Sequence, residues 1–468
     1  MKIVLISPKG PLYRFKGGVF KKSLRYQPLT LTTLAAYVPD ELDVELELID
    51  EGIQHIPPDL HADLVAMTVI TGTAGRAYQL ADDFRRRGIH VVLGGPHVTL
   101  LPDEARRHAD AICTGYAEET WPQLLRDFAA GNMQSIYSQR ANLQLGYSPF
   151  ARRELLDRGH FLTQAVFEAT RSCAHDCEFC VAPTAWGNKQ YQRPIDWIIE
   201  DIKRMGEKKI IFVDLNIISD RNYAKELFRQ LIPLKLQWFG LSTVLIAHDD
   251  ELMELLARSG CKGLLLGLET VSEDSLNDAH KNFNKSVSYR KVIADLHHLG
   301  ISIQGCFVFG LDHDTSDVFD NTVEFAIDSG IELPRFAILT PFPGTPIYHN
   351  MKKQNRILTE EWELYDGQHV VFQPNRMSVA QLAAGHEAAW KKVYRYSSIA
   401  RRLWNARNFR PLALTANLGY RFYAHHLHEY YNCDVQINPL YSTPFAGIRG
   451  YRKNHATGQS SENRIVCG

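Results

Sequence analysis

The sequence predicts an α/β protein in three parts. These are an N-terminal doubly wound, Rossmann-like parallel sheet, a central partial (β/α) barrel and a mostly helical C-terminal module. Three observations carry this. Short apolar runs alternate with amphipathic helical stretches before residue 140 and again from 166 to 350, the pattern of parallel strands covered by helices. The second block repeats its βα units at the spacing of a barrel. The last hundred residues lose the strand signal. With 468 residues the chain is long for one domain, and two or three are expected. The boundaries are 1–140, a linker at 141–165, the barrel at 166–350, the helical module at 351–454 and a tail at 455–468, whose HATGQSSENR reads as disordered.

In the first block, KIVLISP (2–8), VELELID (44–50), DLVAMTVI (63–70), HVVLGG (90–95) and ADAICTG (109–115) read as strands. AGRAYQLADDFRRRG (74–88) and ETWPQLLRDFAAG (119–131) read as helices. Ligands in such folds lie beyond the carboxyl ends of the strands. Those ends carry SPKGP, DEG, TGTAG, GGPH and GYAEE, so Thr71, Gly72, Gly94 and Gly95 are binding candidates. Glycine there lets a ligand approach the backbone. No GxGxxG follows the first strand, which argues against a nicotinamide domain. A basic loop with Lys16, Lys21, Lys22 and Arg25 can meet a carboxylate or phosphate, or simply be solvated.

In the second block, KKIIFVD (208–214), LQWFGLST (236–243), KGLLLGLET (262–270), ISIQGCFVFG (301–310) and ELPRFAILTPFPG (332–344) read as strands. Helical patterns at 195–206, 221–232, 249–260, 286–300 and 315–330 separate them. Catalytic residues should lie after the strands, at the barrel's C-terminal mouth. In the third part, 346–404 opens with turns and ends in a long helical pattern. Trp362, Tyr365 and Asp366 are lid candidates, and Tyr394, Tyr396 and neighbouring arginines form an aromatic, basic stretch.

Composition excludes some classes. The formal net charge is -1, so bulk electrostatics give no case for nucleic acid. No run of 18 apolar residues is present, so no transmembrane segment is expected. No signal peptide is visible, and a cytoplasmic location is expected. The eight cysteines stand at 113, 173, 177, 180, 261, 306, 433 and 467. A large chain without a secretion signal is a poor candidate for a disulfide framework. Cys113, Cys261 and Cys306 sit in apolar runs and read as core filling.

Cys173, Cys177 and Cys180, in RSCAHDCEFC, need their own account. A soft thiolate site selects zinc, copper(I) or iron–sulfur. Zinc usually takes four protein ligands in two halves, and no second half is near. Cys-x3-Cys-x2-Cys, with the aromatic Phe179 before the last cysteine, resembles the radical S-adenosylmethionine (SAM) family. The resemblance implies a [4Fe–4S] cluster on Cys173, Cys177 and Cys180, with one iron chelating SAM. It also implies reductive cleavage of SAM to a 5'-deoxyadenosyl radical, and a flavodoxin, ferredoxin or equivalent electron donor. IIFVDLN resembles the family's second strand, with Asp214 and Asn216 at the site, although the paired acidic residues of relatives are here Asp214 and Leu215. Ser242 and Thr243 match positions near the methionine end of SAM, but STVLIA lacks the arginine that often follows. GLLLGLET resembles the ribose-contacting strand, with Glu269 in that role. FVFGLDHDT resembles the Gly-x-Pro loop, with Leu311 and Asp312 departing from it. LTPFPGTPIY, including Pro343, resembles the last strand of cobalamin-type members.

The first block, through its element order and GGPH, resembles the cobalamin-binding domain that precedes many radical SAM enzymes. Methionine synthase and the mutases bind cobalt through Asp-x-His-x-x-Gly; the loop compared with it here, DEGIQHI, has no histidine at that position. His55 lies farther along and reads as a surface residue. The resemblance covers roughly 1–400 and implies a radical SAM enzyme that functionalises an unactivated carbon of a small organic or lipid-like substrate, by cobalamin-dependent C-methylation. Non-methylating cyclisation, rearrangement, oxidation or coupling is the alternative enzyme. A non-enzymatic iron–sulfur or redox-sensing protein is the third reading.

Overall fold

The computed structural model describes residues 1–10, 26–140, 145–278, 284, 288–406 and 411–427. Lys16, Lys21, Lys22, Arg25, Cys433, Cys467 and the tail at 455–468 lie outside the described residues.

The first block forms β1 (Lys2–Ser7), β2 (Glu45–Asp50), β3 (Leu64–Thr68), β4 (His90–Gly94), β5 (Ala111–Thr114) and β6 (Ile136–Ser138). All pair in parallel, in the order β2-β1-β3-β4-β5-β6. Strand alternation sorts the side chains. Val4, Ile6, Val65, Met67, Val91 and Leu93 pack on Ala77, Ala81 and Phe84 of the helix Ala74–Arg86. Ile3, Leu5, Leu64 and Val92 face Leu31, Ala35, Trp121 and Leu125 from the helices Leu29–Ala36 and Thr120–Ala129. Burying both faces explains why these strands read as continuous apolar runs. The edge strand β6 escaped the sequence reading because only Tyr137 of its three residues is buried.

Strand order reverses between β1 and β3, so the ligand crevice of this sheet lies between the loops that follow them. DEGIQHI follows β2, and its two acidic residues are engaged by neighbouring backbone and by Arg76. Asp50 accepts the Gly52 N–H at 2.9 Å. Glu51 accepts the Lys9 N–H at 3.1 Å and pairs with Arg76 at 2.7 Å. His55 is exposed.

The linker is not a loose tether. Gln27 donates its backbone N–H to Thr163 O and its side-chain amide to Arg153 O, both at 2.9 Å. The buried Arg153 forks onto Asp201 at 2.9 and 2.8 Å and donates to Val166 O at 2.7 Å. A paired carboxylate lets a buried guanidinium be tolerated.

The second block forms β7 (Val166–Phe167), β8 (Thr170–Arg171), β9 (Tyr191–Gln192), β10 (Lys209–Phe212), β11 (Gln237–Ser242), β12 (Cys261–Glu269), β13 (Ser302–Phe309) and β14 (Arg335–Ile338). β8 and β9 make a small antiparallel pair; the others make a parallel sheet in the order β14-β13-β12-β11-β10-β7. Each neighbour follows in chain order, as in a partial barrel. The strand expected at 332–344 shortens to Arg335–Ile338 because Pro334, Pro341 and Pro343 flank it and carry no N–H for a ladder. The covering helices have clear end signals. Asp220 and Asp249 cap Arg221–Leu231 and Asp250–Arg258, and Gly206, at φ 67°, ends Ile195–Met205.

The helices Val379–Val393, Tyr396–Asn405 and Pro411–His425 close the C-terminal side. Arg402, fully buried, donates to Ile331 O, Glu332 O and Val393 O and to Asn417 Oδ1, at 2.6–3.1 Å. It ties these helices to the approach to β14. Tyr394 is core: its hydroxyl donates to Pro334 O at 2.7 Å, while Tyr396 is exposed. Cys113 and Cys261 are buried core residues and Cys306 is half-buried. Among the described residues no helix is long and apolar enough to cross a membrane.

Candidate active site at the domain interface

The cysteine loop runs from β8 to the short helix Val181–Trp186. Ser172 opens it at φ 63°, in the left-handed region that non-glycine residues rarely enter. Its hydroxyl donates to Gly187 O at 2.6 Å, which clamps the two ends of the loop together. The Cys180 N–H donates to Cys177 O at 3.0 Å. Cys177 is buried, Cys173 and Cys180 are half-buried, and Phe179 packs on the barrel core. Among the described residues no three His, Cys, Asp or Glu side chains converge to hold a metal.

The barrel mouth braces this loop. Asp214, just past β10 and wholly buried, accepts the Ala169 N–H at 3.2 Å and the Thr170 hydroxyl at 2.7 Å. Burial pushes its carboxyl up to about 6 against those hydrogen bonds. Its oxygens therefore position β8. Asn216 Nδ2 donates to Ser219 Oγ at 3.0 Å, but its Oδ1 is buried with no hydrogen-bond partner among the described residues. Ser242 donates to Thr243 O at 3.0 Å, and Thr243 Oγ1 is likewise buried and unpartnered. Glu269, buried at the end of β12, stands at φ 62°, where the β12–β13 register shifts. Pro343 is buried, in a turn closed by the Thr345 hydroxyl on Phe342 O at 2.6 Å. Sequence reasoning missed Asp314, whose carboxylate accepts the Gly310 and Leu311 N–H groups at 3.0 Å and the Ser275 hydroxyl at 2.7 Å.

On the first sheet, Gly95 adopts φ 103°, and a Cβ there would stand 2.8 Å from Val69 N and O. That cradle holds the GGPH turn against the loop carrying Thr71 and Gly72. The fully buried His97 lies 3.3 Å from Thr71 Oγ1 through Nδ1 and 3.3 Å from Glu104 Oε1 through Nε2. Trp362 Nε1 donates to the same Glu104 oxygen at 3.1 Å, and Tyr365 is buried beside Trp362. Trp362 therefore clasps the first domain, whereas Asp366 accepts the Gln368 and His369 N–H groups of its own segment at 2.8 and 3.0 Å.

The carboxyl ends of the two sheets meet. Tyr116, after β5, stacks on Trp186 at 5.2 Å and 7°. Arg171, beside the cysteines, pairs with Glu118 of the same β5 loop and with Glu168 at 2.6 Å. Gly344, at φ 78°, abuts Leu100 of the first domain, where a Cβ would stand 3.2 Å away.

Residues 167–326 match the Radical SAM superfamily and residues 20–125 the B12 binding domain. The chain is 32% identical over 389 residues to bacteriochlorophyllide d C-12(1)-methyltransferase of Chlorobaculum tepidum, covering 80% of this chain and 84% of that protein. It is 31% identical over 406 residues to bacteriochlorophyllide d C-8(2)-methyltransferase of the same organism, covering 81% and 88%. Its fold is similar to that of the radical SAM methyltransferase TsrM from Kitasatospora setae, solved with cobalamin and a [4Fe-4S] cluster, with a TM-score of 0.59, 17% identity and coverage of 75% and 78%. It is also similar to that of the cobalamin-dependent SAM radical enzyme OxsB with aqua-cobalamin and SAM, with a TM-score of 0.63, 13% identity and coverage of 97% and 72%. The chain belongs to the radical SAM superfamily, in the branch that carries an N-terminal B12-binding domain.

Proposed function

We propose that this chain is a cobalamin-dependent radical SAM methyltransferase that places a methyl group on an unactivated carbon of a flat, tetrapyrrole-type substrate. The observation that carries this reading is the meeting of the two sheets at their carboxyl ends, through Tyr116 on Trp186 and Arg171 on Glu118. Ligands of open α/β sheets lie beyond those ends, so a ligand on one sheet opens onto a ligand on the other. The names of the two relatives support the substrate class.

The residues fit the groups this function needs. When bound, a [4Fe–4S] cluster, SAM and cobalamin supply one-electron cleavage of SAM, hydrogen abstraction and a transferable methyl group. Cys173, Cys177 and Cys180 are the thiolate ligands for the cluster. Asn216 Oδ1 and Thr243 Oγ1, buried and unpartnered among the described residues, are polar atoms that want a ligand's polar groups, which supports a role in holding SAM. Glu269 is an acceptor for ribose hydroxyls. Thr71, Gly72, Gly94 and Gly95 offer backbone that a corrin can approach closely. Ser172 and Asp214 hold the cysteine loop in place. A flavodoxin, ferredoxin or equivalent donor supplies the electron.

The test is an anaerobic preparation reconstituted with iron and sulfide and loaded with hydroxocobalamin. It receives methyl-labelled SAM, a reductant and a bacteriochlorophyllide substrate. Label in the substrate, with 5'-deoxyadenosine and S-adenosylhomocysteine formed alongside, is expected. 5'-Deoxyadenosine without label transfer overturns methylation in favour of cyclisation, rearrangement, oxidation or coupling. Zinc rather than iron on the cysteine trio overturns the radical reading.

A further inference from the structure

A cleft of about 410 Å³ opens on the seam between the domains, lined by Thr114, Gln139, Arg140, Trp186, Lys189 and Tyr191 among others. One wall comes from the carboxyl ends of β5 and β6, the other from the segment joining the cysteine-loop helix to β9. The floor is aromatic and braced. Tyr116 lies flat on Trp186 at 5.2 Å and edge-on to Tyr191 at 6.0 Å. Gln139 accepts the Tyr116 N–H at 2.7 Å and donates to the Tyr191 hydroxyl at 3.4 Å. Gly115, at φ 78°, leaves no room for a side chain against Gln139.

The rim differs from the rest of the seam. There, Arg171 is matched by Glu118 and Glu168, and Lys352 by Glu360. Arg140 and Lys189 are exposed and pair with no carboxylate among the described residues. Lys189 Nζ stands 5.6 Å from the Tyr191 ring centroid. Two like charges above an aromatic floor complement a flat apolar body that carries an anion. The volume is at the low end for ligand sites, which suits one arm of a larger molecule.

We infer that this cleft is the subsite for a carboxylate arm of the substrate, with the arm's anion between Arg140 and Lys189 and the adjoining ring edge against Trp186 and Tyr191. The inference rests on the tetrapyrrole reading above and deepens it. A phosphodiester of a bound corrinoid has the same anionic chemistry, and the experiment separates the two sources.

The probes are chlorophyllide a, with its free propionate, and its methyl ester. Binding to the full chain, loaded with cluster and hydroxocobalamin, is followed by fluorescence quenching. The acid should bind about fivefold or more tightly than the ester. In an Arg140→Gln/Lys189→Gln double variant that preference should vanish, with hydroxocobalamin affinity unchanged. Both side chains are exposed, so the variant should fold, and circular dichroism checks it. Equal binding of acid and ester, binding of neither, or a preference that survives in the variant would overturn the subsite. Loss of hydroxocobalamin affinity would overturn it too, by assigning the cations to the corrinoid phosphate. 5'-Deoxyadenosine formation and cobalamin stoichiometry are read in the same preparation, so failure of the enzyme reading shows separately.

Discussion

Arg171, two residues before the first clustered cysteine, closes an ion pair with Glu118 on the loop after β5. Both side chains are nearly buried, at 12% and 6% exposure. The pair links the loop that carries the cysteines to the sheet of the B12-binding-type domain. Neither partner announces itself locally, since Arg171 reads as one more charge beside the trio.

Removing the guanidinium leaves Glu118 and Glu168 near each other with less compensation. Arg171→Met should cost about 3 kcal/mol and let the two halves unfold separately. Urea unfolding followed by circular dichroism should show one transition in the parent and two in the variant. A single transition with an unchanged midpoint would remove the pair from any role in holding the domains together.

Asp214 makes stability fall as pH rises in mild acid. Its carboxyl is pushed up to about 6 by burial, from 3.8. The folded chain therefore holds this proton where the unfolded chain has released it. Stability from this group is full below the unfolded value and is lost as pH rises through the folded one, by about 3 kcal/mol in total. Asp214→Asn should flatten the stability–pH curve between those values. Parallel curves for the two proteins would show that the carboxyl is ionised throughout.

Two neighbouring glycines should behave differently. A Cβ at Gly95 would stand 2.8 Å from Val69 N and O at a φ of 103°, whereas one at Gly72 would meet only Tyr365 O at 3.9 Å. Gly95→Ala should cost about 2 kcal/mol or more and weaken hydroxocobalamin binding by moving the Thr71 loop. Gly72→Ala should leave stability within about 0.5 kcal/mol of the parent. Thermal unfolding and difference spectra with hydroxocobalamin read both. Equal losses from the two would mean that the cradle at Gly95 is not specific.

Thr243 offers a cleaner separation of ligand from fold. Its hydroxyl is buried and, among the described residues, unpartnered. Thr243→Val removes a desolvated group that the fold does not use, so stability should hold or rise by about 1 kcal/mol. SAM binding to the reconstituted protein, measured by equilibrium dialysis, should weaken about tenfold, the loss of one good hydrogen bond. Lower stability with unchanged SAM binding would make the hydroxyl structural.

The strands were legible where periodicity speaks. KIVLIS is apolar because a sheet with helices on both faces buries it on both sides, and GLLLGLE because its alternate leucines enter the barrel core. Legibility failed where a strand is too short to show a pattern, as with Ile136–Ser138, or where prolines cut one short, as around Arg335–Ile338. Thr243, Glu269 and the cysteines stand out as candidates in the sequence because each follows a recognisable strand. That Glu51 of DEGIQHI reaches Lys9 and Arg76, in the segments after β1 and β3, was not legible, because strand order is not a local property.

By itself, then, the sequence determined the cysteine trio, the two βα blocks and the glycine turns at their ends. These depend on neighbours in the chain: residue spacing, helix caps and side-chain alternation. Tertiary structure alone decided that Asp214 turns inward to brace the cysteine loop and that Tyr394 is core. It also decided that Trp362 reaches Glu104 across 258 residues and that Arg171 reaches Glu118 across 53. Such partners are chosen by where two folded surfaces meet, and a buried charge or hydroxyl reveals its purpose only once the groups around it are in place.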